Sequence, residues 1–234
     1  MTARYAIYYT PPRNSLLESA GVHWLGRTPL RYGQIPKDIP EGFFKQEYYQ
    51  IIEAPRWYGF HGTIRAPFEL AKNVTPEAFI KEISQICRNH APFSFAGLSI
   101  NCFGGFLALT PTAASPDLLK LHSDLTRRLD HLRPQISRFD LKRHLDKKLS
   151  ERQERLLRRF GYPFVLEEFK FHMTLTGTIE DRLRRSYKEK LESILNPYLT
   201  ESIPVNEVTV FMQPDRKTPF VEYTRIPLTG KYKA

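Results

Sequence analysis

Two short runs of this sequence place the same residue types in the same order: GFHGTIR around His61 and KFHMTLT around His172, 111 positions apart. In each, an aromatic residue precedes a histidine, a threonine follows two positions later, and an aliphatic residue comes next. Two such hits among seven histidines arise by chance roughly once in a few hundred chains of this composition. The pair therefore calls for a chemical reading. Breaking a phosphodiester needs one group to take a proton from water and another to give one to the leaving oxygen. An imidazole, with a pKa of about 6.5, does either near neutral pH. A hydroxyl two residues away can hydrogen-bond a phosphoryl oxygen, and a nearby cation steadies the negative charge that develops.

The elements must bring these groups together. On a strand, alternate side chains face opposite ways. His61, Thr63 and Arg65 then share one face, with Phe60 and Ile64 on the other. Lys170, His172, Thr174 and Thr176 likewise share a face, with Phe171, Met173 and Leu175 opposed. Each strand would anchor its apolar side in a core and present a histidine, a threonine and a cation. The bland alternative for either run is an ordinary solvent-facing polar pair; the matched aromatic, cationic and apolar settings argue against it for both. The other histidines, at positions 23, 90, 122, 131 and 144, fall in helices or loops without evident partners and read as surface or packing residues. No His-Glu-x-x-His, cysteine cluster or Walker loop is present, and Gly104–Gly105 is too little for a phosphate cradle. No metal or cofactor is expected.

At 234 residues and 41% hydrophobic composition, the chain suits one folded domain, taken as residues 1–234. Its longest apolar runs are too short to span a bilayer, its N-terminus reads as a strand, and two cysteines make no disulfide framework. A cytoplasmic setting without membrane contact follows as the expectation. A net charge of +10 favours anionic partners such as nucleic acid or phosphorylated metabolites.

Arg4 to Thr10 reads as an edge or barrel strand, and residues 11–50, rich in Pro and Gly, as irregular, with WLGR (Trp24 to Arg27) in a loop. Thr75–Pro76 and Ser115–Pro116 open helices, and the segment around Gly104–Gly105 is a hairpin. Residues 138–160 carry nine Lys or Arg against four acids, with a capping box at Ser150 and Gln153. That basic helix reads as a solvated face. A strand from near Phe164 carries His172; a helix from about Glu180 and strands near Val205–Met212 and Phe220–Ile226 follow. Each half of the sequence thus holds a His-bearing strand, a helix and two strands, which suggests two related α+β lobes.

HGTI and HMTL match in full the paired His-x-Thr/Ser-aliphatic motifs of the two-histidine (2H) phosphoesterase superfamily, which this chain resembles. YGFHGTIRAPF, GYPFVLEEFKFHMTLTG, RYAIYYTPP and WLGR are further similar to a bacterial family encoded beside phosphonate-utilisation genes. One departure is Gly62, where the resemblance implies Ala. The resemblance implies a bilobal α+β fold with antiparallel sheets around a central cleft, and metal-independent chemistry on cyclic phosphates or phosphodiesters. His61 and His172 would be base and acid in one order or the other, and Thr63 and Thr174 would bind phosphoryl oxygens, with Arg65 and Lys170 assisting. A small phosphorylated, ribose-type metabolite is the expected substrate. RNA 2′,3′-cyclic phosphate ends, or non-catalytic binding of nucleotides or RNA in the same cleft, are the alternatives.

Overall fold

The computed structural model describes residues 3–30, 38–146, 148–199 and 202–231, so residues 31–37 of the Pro/Gly-rich stretch and Lys147 of the basic segment lie outside the described residues. The fold is α+β. In chain order its elements are β1 (Arg4–Tyr9), α1 (Leu16–Leu25), α2 (Lys45–Tyr58), β2 (Gly62–Glu69), α3 (Pro76–Cys87), β3 (Phe93–Phe95), β4 (Leu98–Phe103) and β5 (Phe106–Pro111). Then follow α4 (Pro116–Arg128), α5 (Arg138–Leu145), α6 (Glu151–Phe160), β6 (Met173–Thr174), α7 (Arg184–Leu195), β7 (Ile203–Val205), β8 (Glu207–Gln213) and β9 (Val221–Pro227). Seven strands form one sheet in the order β4-β5-β6-β2-β1-β8-β9, and β3 pairs with β7 in a separate ribbon. The described pairings are all antiparallel.

The two halves of the sequence do not keep their strands to themselves. The β4–β5 hairpin follows the first motif, yet β5 pairs with β6, the strand of the second motif. The β8–β9 hairpin follows the second motif, yet β8 pairs with β1, which pairs with β2, the strand of the first. Two half-sheets result, each completed by the other half's hairpin, and they meet where β2 runs beside β6.

β1 is an interior strand, not an edge. Its Tyr5, Ile7 and Tyr9 enter the main core while Ala6 and Tyr8 pack on the opposite face with Phe211 and Phe220. A strand with apolar residues on both sides belongs in mid-sheet. The stretch read as irregular holds α1 and α2. Ser15 caps α1 by accepting from the Glu18 N–H, and Gly26 ends it at φ 61°, so Trp24 and Leu25 of WLGR close a helix. β6 is only two residues long; between Phe164 and His172 the chain instead makes a 3-10 turn over Leu166–Glu168. The predicted caps at Thr75, Ser115 and Ser150 all form. No helix among the described residues is long and apolar enough to cross a membrane.

Candidate active site

The junction between the half-sheets carries both motifs. Gly62 pairs with Met173. Continuing that antiparallel register one residue each way sets His61 opposite Thr174 and Thr63 opposite His172. Met173 is fully buried in the core, and so are Ile64 and Leu175. By alternation, His61, Thr63, His172 and Thr174 stand together on the other face. Each histidine faces the other motif's threonine, in an arrangement with approximate twofold symmetry. The histidines are diagonal neighbours, a relation that separates backbones by about 7–8 Å.

Both imidazoles are oriented in the same way. Nδ1 of His61 lies 2.9 Å from the Gly59 carbonyl oxygen, and Nδ1 of His172 lies 2.8 Å from that of Lys170, each two residues back. A carbonyl only accepts, so each Nδ1 carries the proton and each Nε2 keeps its lone pair. The Thr63 hydroxyl, 3.2 Å away, donates to Nε2 of His61. Tyr8 stacks on His61 at 3.8 Å between ring centres, and Phe103 stacks on His172 at 4.3 Å. Burial lowers the pKa of His61 to about 4; the Gly59 carbonyl opposes this, and the charge of a protonated His172 adds to it. Burial also lowers the His172 pKa, against the pull of the Lys170 carbonyl. Both rings are therefore neutral at pH 7, and an anion bound between them would draw protons onto them.

The surrounding chain fixes this geometry. Gly59 ends α2 at φ 84°, a conformation that turns the chain into β2 and aims its carbonyl at His61. Beneath that turn, the buried Arg27 guanidinium donates to the carbonyls of Arg56 and Trp57, both at 2.9 Å, and to that of Phe220 at 2.5 Å. Gly62 does face away from the site, but it is not neutral: a Cβ there would sit 2.2 Å from the Phe171 ring. Ala at this position would displace Phe171, so the departure from the motif accompanies a close approach of β2 and β6.

His122 on α4 is not the unpartnered residue the sequence suggests. It is 1% exposed, stacked on Phe169 at 3.8 Å, with Nδ1 donating to the Ile64 carbonyl (2.6 Å) and Nε2 accepting from the Leu166 N–H (2.8 Å). It thus links the strand of the first motif to the turn leading into the second. His90 and His131 pair with Asp124 and Glu82, and His144 lines the cavity beside His61.

That cavity, of about 360 Å³, opens from His61, Thr63 and Tyr8 toward Arg4, Arg143 and Arg216. Arg65 is on its wall, but the side chain is 5% exposed and its Nη1 donates to the carbonyls of Leu125 (3.3 Å) and Thr126 (2.7 Å) of α4. Lys170 is exposed, and its carbonyl rather than its ammonium serves His172. Asp140 pairs with Arg143 and Arg216, and Glu69 with Arg216. Arg4 differs: it bonds the neutral Gln213 and makes no ion pair with a carboxylate among the described residues. Sequence spacing could not single out Arg4, because it reaches the cavity from β1. The basic segment, read as a solvated face, supplies Arg143, His144 and Phe160 to the cavity.

The chain is similar over nearly its whole length to two curated proteins named ribose 1,5-bisphosphate phosphokinase PhnN. It is 27% identical over 232 residues to that of Janthinobacterium sp. (strain Marseille), covering 97% of this chain and 51% of the relative. It is 30% identical over 217 residues to that of Laribacter hongkongensis (strain HLHK9), covering 93% and 50%. The chain thus spans about half the length of the curated relatives it matches. Among solved structures it is similar to E. coli LigT in apo form, at 13% identity and a TM-score of 0.45, covering 98% of this chain and 99% of that one. It is also similar to a protein solved as a phosphoesterase, at 13% identity and a TM-score of 0.43, covering 98% and 99%. The family described as "Protein of unknown function (DUF1045)" matches residues 63–221, from the threonine of the first motif through the whole of the second, and the chain belongs to it.

Proposed function

We propose that this chain is a two-histidine phosphoesterase that hydrolyses a cyclic phosphate or phosphodiester of a small phosphorylated, ribose-type metabolite. The observation that carries the reading is the quartet at the β2–β6 junction, where the register sets each histidine opposite the other motif's threonine and both rings keep Nε2 unprotonated. His61, whose ring is held at about pKa 4, serves as the base. Its Nε2 takes a proton from water as the water oxygen attacks phosphorus. His172, protonated in the presence of the bound anion, gives its proton to the leaving oxygen as the phosphorus–oxygen bond breaks. Thr63 and Thr174 hold the phosphoryl oxygens. Arg4, with Arg143 and Arg216 behind it, takes a further anionic group of the substrate in the cavity beside His61. Arg65 supports the wall of that cavity and Lys170 stands at the rim. The ribose phosphate named for the curated relatives is said of those longer proteins; it supports a sugar phosphate here.

Residues 1–234 act as one unit in this reading, with the site built by both half-sheets. In this reading the two histidines carry both proton transfers without a metal, since neither motif offers a three-ligand set for a catalytic zinc. The test is an activity screen over cyclic ribose phosphates, 2′,3′-cyclic nucleotides and RNA with 2′,3′-cyclic ends, run with and without a chelator. The expected result is turnover of a cyclic sugar phosphate that survives chelation and shows a bell-shaped pH profile. Turnover confined to RNA ends would replace the substrate, and binding without turnover of any of them would replace the enzyme with a binding module.

A further inference from the structure

Turning the sheet about the axis between β2 and β6 exchanges β1 with β5 and β8 with β4. Tyr8 lies opposite Thr63 and opposite Thr209. Ala108 lies opposite Thr174 and opposite Asn101. By the same registers, extended one residue, Thr10 stands beside His61 and Thr110 beside His172. Both places hold a cross-strand polar pair. On the His61 side, the hydroxyls of Thr10 and Thr209 bond each other at 2.7 Å and are 3% and 0% exposed. Each has the other as its hydrogen-bond partner, sealed from solvent. On the His172 side, Asn101 replaces the threonine, and its Nδ2 donates both to Thr110 Oγ1 (2.8 Å) and to Ser99 Oγ (2.9 Å). These three residues are only half-buried. Their neighbours Leu98, Ile100 and Leu109 are buried in the core, so by alternation the three polar side chains share the face of His172.

The hydrogen bonds leave a defined set of unused groups. Each hydroxyl oxygen already accepts from the Asn101 amide, so each hydroxyl proton is left to donate outward, and Asn101 Oδ1 is left to accept. No charged side chain bonds to any of the three among the described residues. The arginine-lined cavity, by contrast, lies on the His61 side.

We propose that Ser99, Asn101 and Thr110 form a neutral hydrogen-bonding subsite for the hydroxylated, uncharged part of the substrate, such as a sugar ring, beside His172. The proposal rests on the phosphoesterase reading, since it takes the two histidines to hold the phosphate. It adds that the substrate lies with its organic arm across β5 and β4 and its anionic arm over Arg4.

Binding of inorganic phosphate and of ribose 5-phosphate, followed by calorimetry and by NMR of the histidine rings, tests both layers. In the wild type, phosphate should perturb His61 and His172 together, and ribose 5-phosphate should bind more tightly. Thr110→Val and Asn101→Leu should each reduce that advantage, by about tenfold together, as two hydrogen bonds would. Phosphate alone should bind as in the wild type, within about twofold, which also shows that the variants are folded; Ser99→Ala, the smallest change, should lose the least. A wild type with no preference for the sugar phosphate, or variants that keep the full preference, would overturn the subsite and leave the phosphoesterase reading standing. Phosphate that perturbs neither histidine in the wild type would overturn both.

Discussion

The two half-sheets repeat one motif in two different surroundings. Around His61 the ring is packed in beside the arginine-lined cavity: Tyr8 lies flat on the imidazole, and Ala6, Phe211 and Phe220 fill the strand beyond it. Around His172 Phe103 stacks on the ring and Phe106 lies tilted beside it, neither fully buried, and the next positions are Thr110 and Asn101. The difference appears in proton affinity. Burial holds His61 at about 4, with the charges of His172 and Arg27 adding to the lowering, whereas His172, with the same tautomer and the same i−2 carbonyl bond, is lowered by burial alone. A near-symmetric pair of groups becomes an acid and a base when the environments that flank them differ.

The strongest way to break this comparison is to remove either ring. His61→Ala and His172→Ala should each cut turnover on the order of 10²–10⁴-fold, as expected for positioned proton-transfer groups, and their losses should not add. His131→Ala, on the surface with Glu82, is the control; His144 is unsuitable because it lines the cavity. A variant of either motif histidine that kept more than about a tenth of wild-type turnover would show that the quartet is not the catalytic unit.

A second test asks whether Arg4 makes the His61 side the anionic one. Arg4→Gln should weaken pyrophosphate binding by about tenfold, with a far smaller effect on inorganic phosphate, since one charge-assisted contact is lost from the outer group only. The salt dependence of pyrophosphate binding should fall with it. Equal losses for both anions would place Arg4 at the reacting phosphate instead.

The smallest effect concerns stability. His122 is buried with a pKa lowered to about 4 by desolvation, against the pull of the Ile64 carbonyl, and with Arg65 adding to the lowering. Its folded pKa lies below the unfolded value, so the stability it gives is present above about pH 6.5 and is lost as pH falls toward 4. The full loss is about 3 kcal/mol at pH 4. His122→Phe keeps the stack on Phe169 but strands the Leu166 N–H and the Ile64 carbonyl. Thermal melts should show it less stable at pH 7 and with a shallower decline between pH 6.5 and 4. An identical slope in variant and wild type would remove His122 as the source.

The shared face of each motif was legible in the sequence because it depends on short-range order. A histidine and a threonine two apart on a strand necessarily share a face, and the aliphatic residue after them necessarily turns inward. What joins the strands was not legible. Nothing local says that β5 pairs with β6 rather than with β2, nor that Arg4, 57 residues before His61, lines the same cavity. The misread elements have similar causes. The prolines and glycines of residues 11–50 outweighed the capping serine at Ser15, and the apolar run after Phe164 hid a turn in which Leu166 takes φ 55° to offer its N–H to His122. His122 and Arg65 show the limit most plainly: their partners are backbone groups of distant elements, and no composition or spacing announces those.

The exchange of hairpins between the halves also has a consequence for how the chain is made. Neither half-sheet can be finished from its own stretch of sequence. During synthesis β1 emerges before its partner, and the edge that β8 will cover stays unpaired until that strand follows, about two hundred residues later. Pairings of such long range close slowly. In the interval the apolar β1 is an open template for another chain. This protein should therefore depend on chaperones or low concentration to refold, and a chain cut before Glu207 should aggregate rather than yield a smaller working lobe.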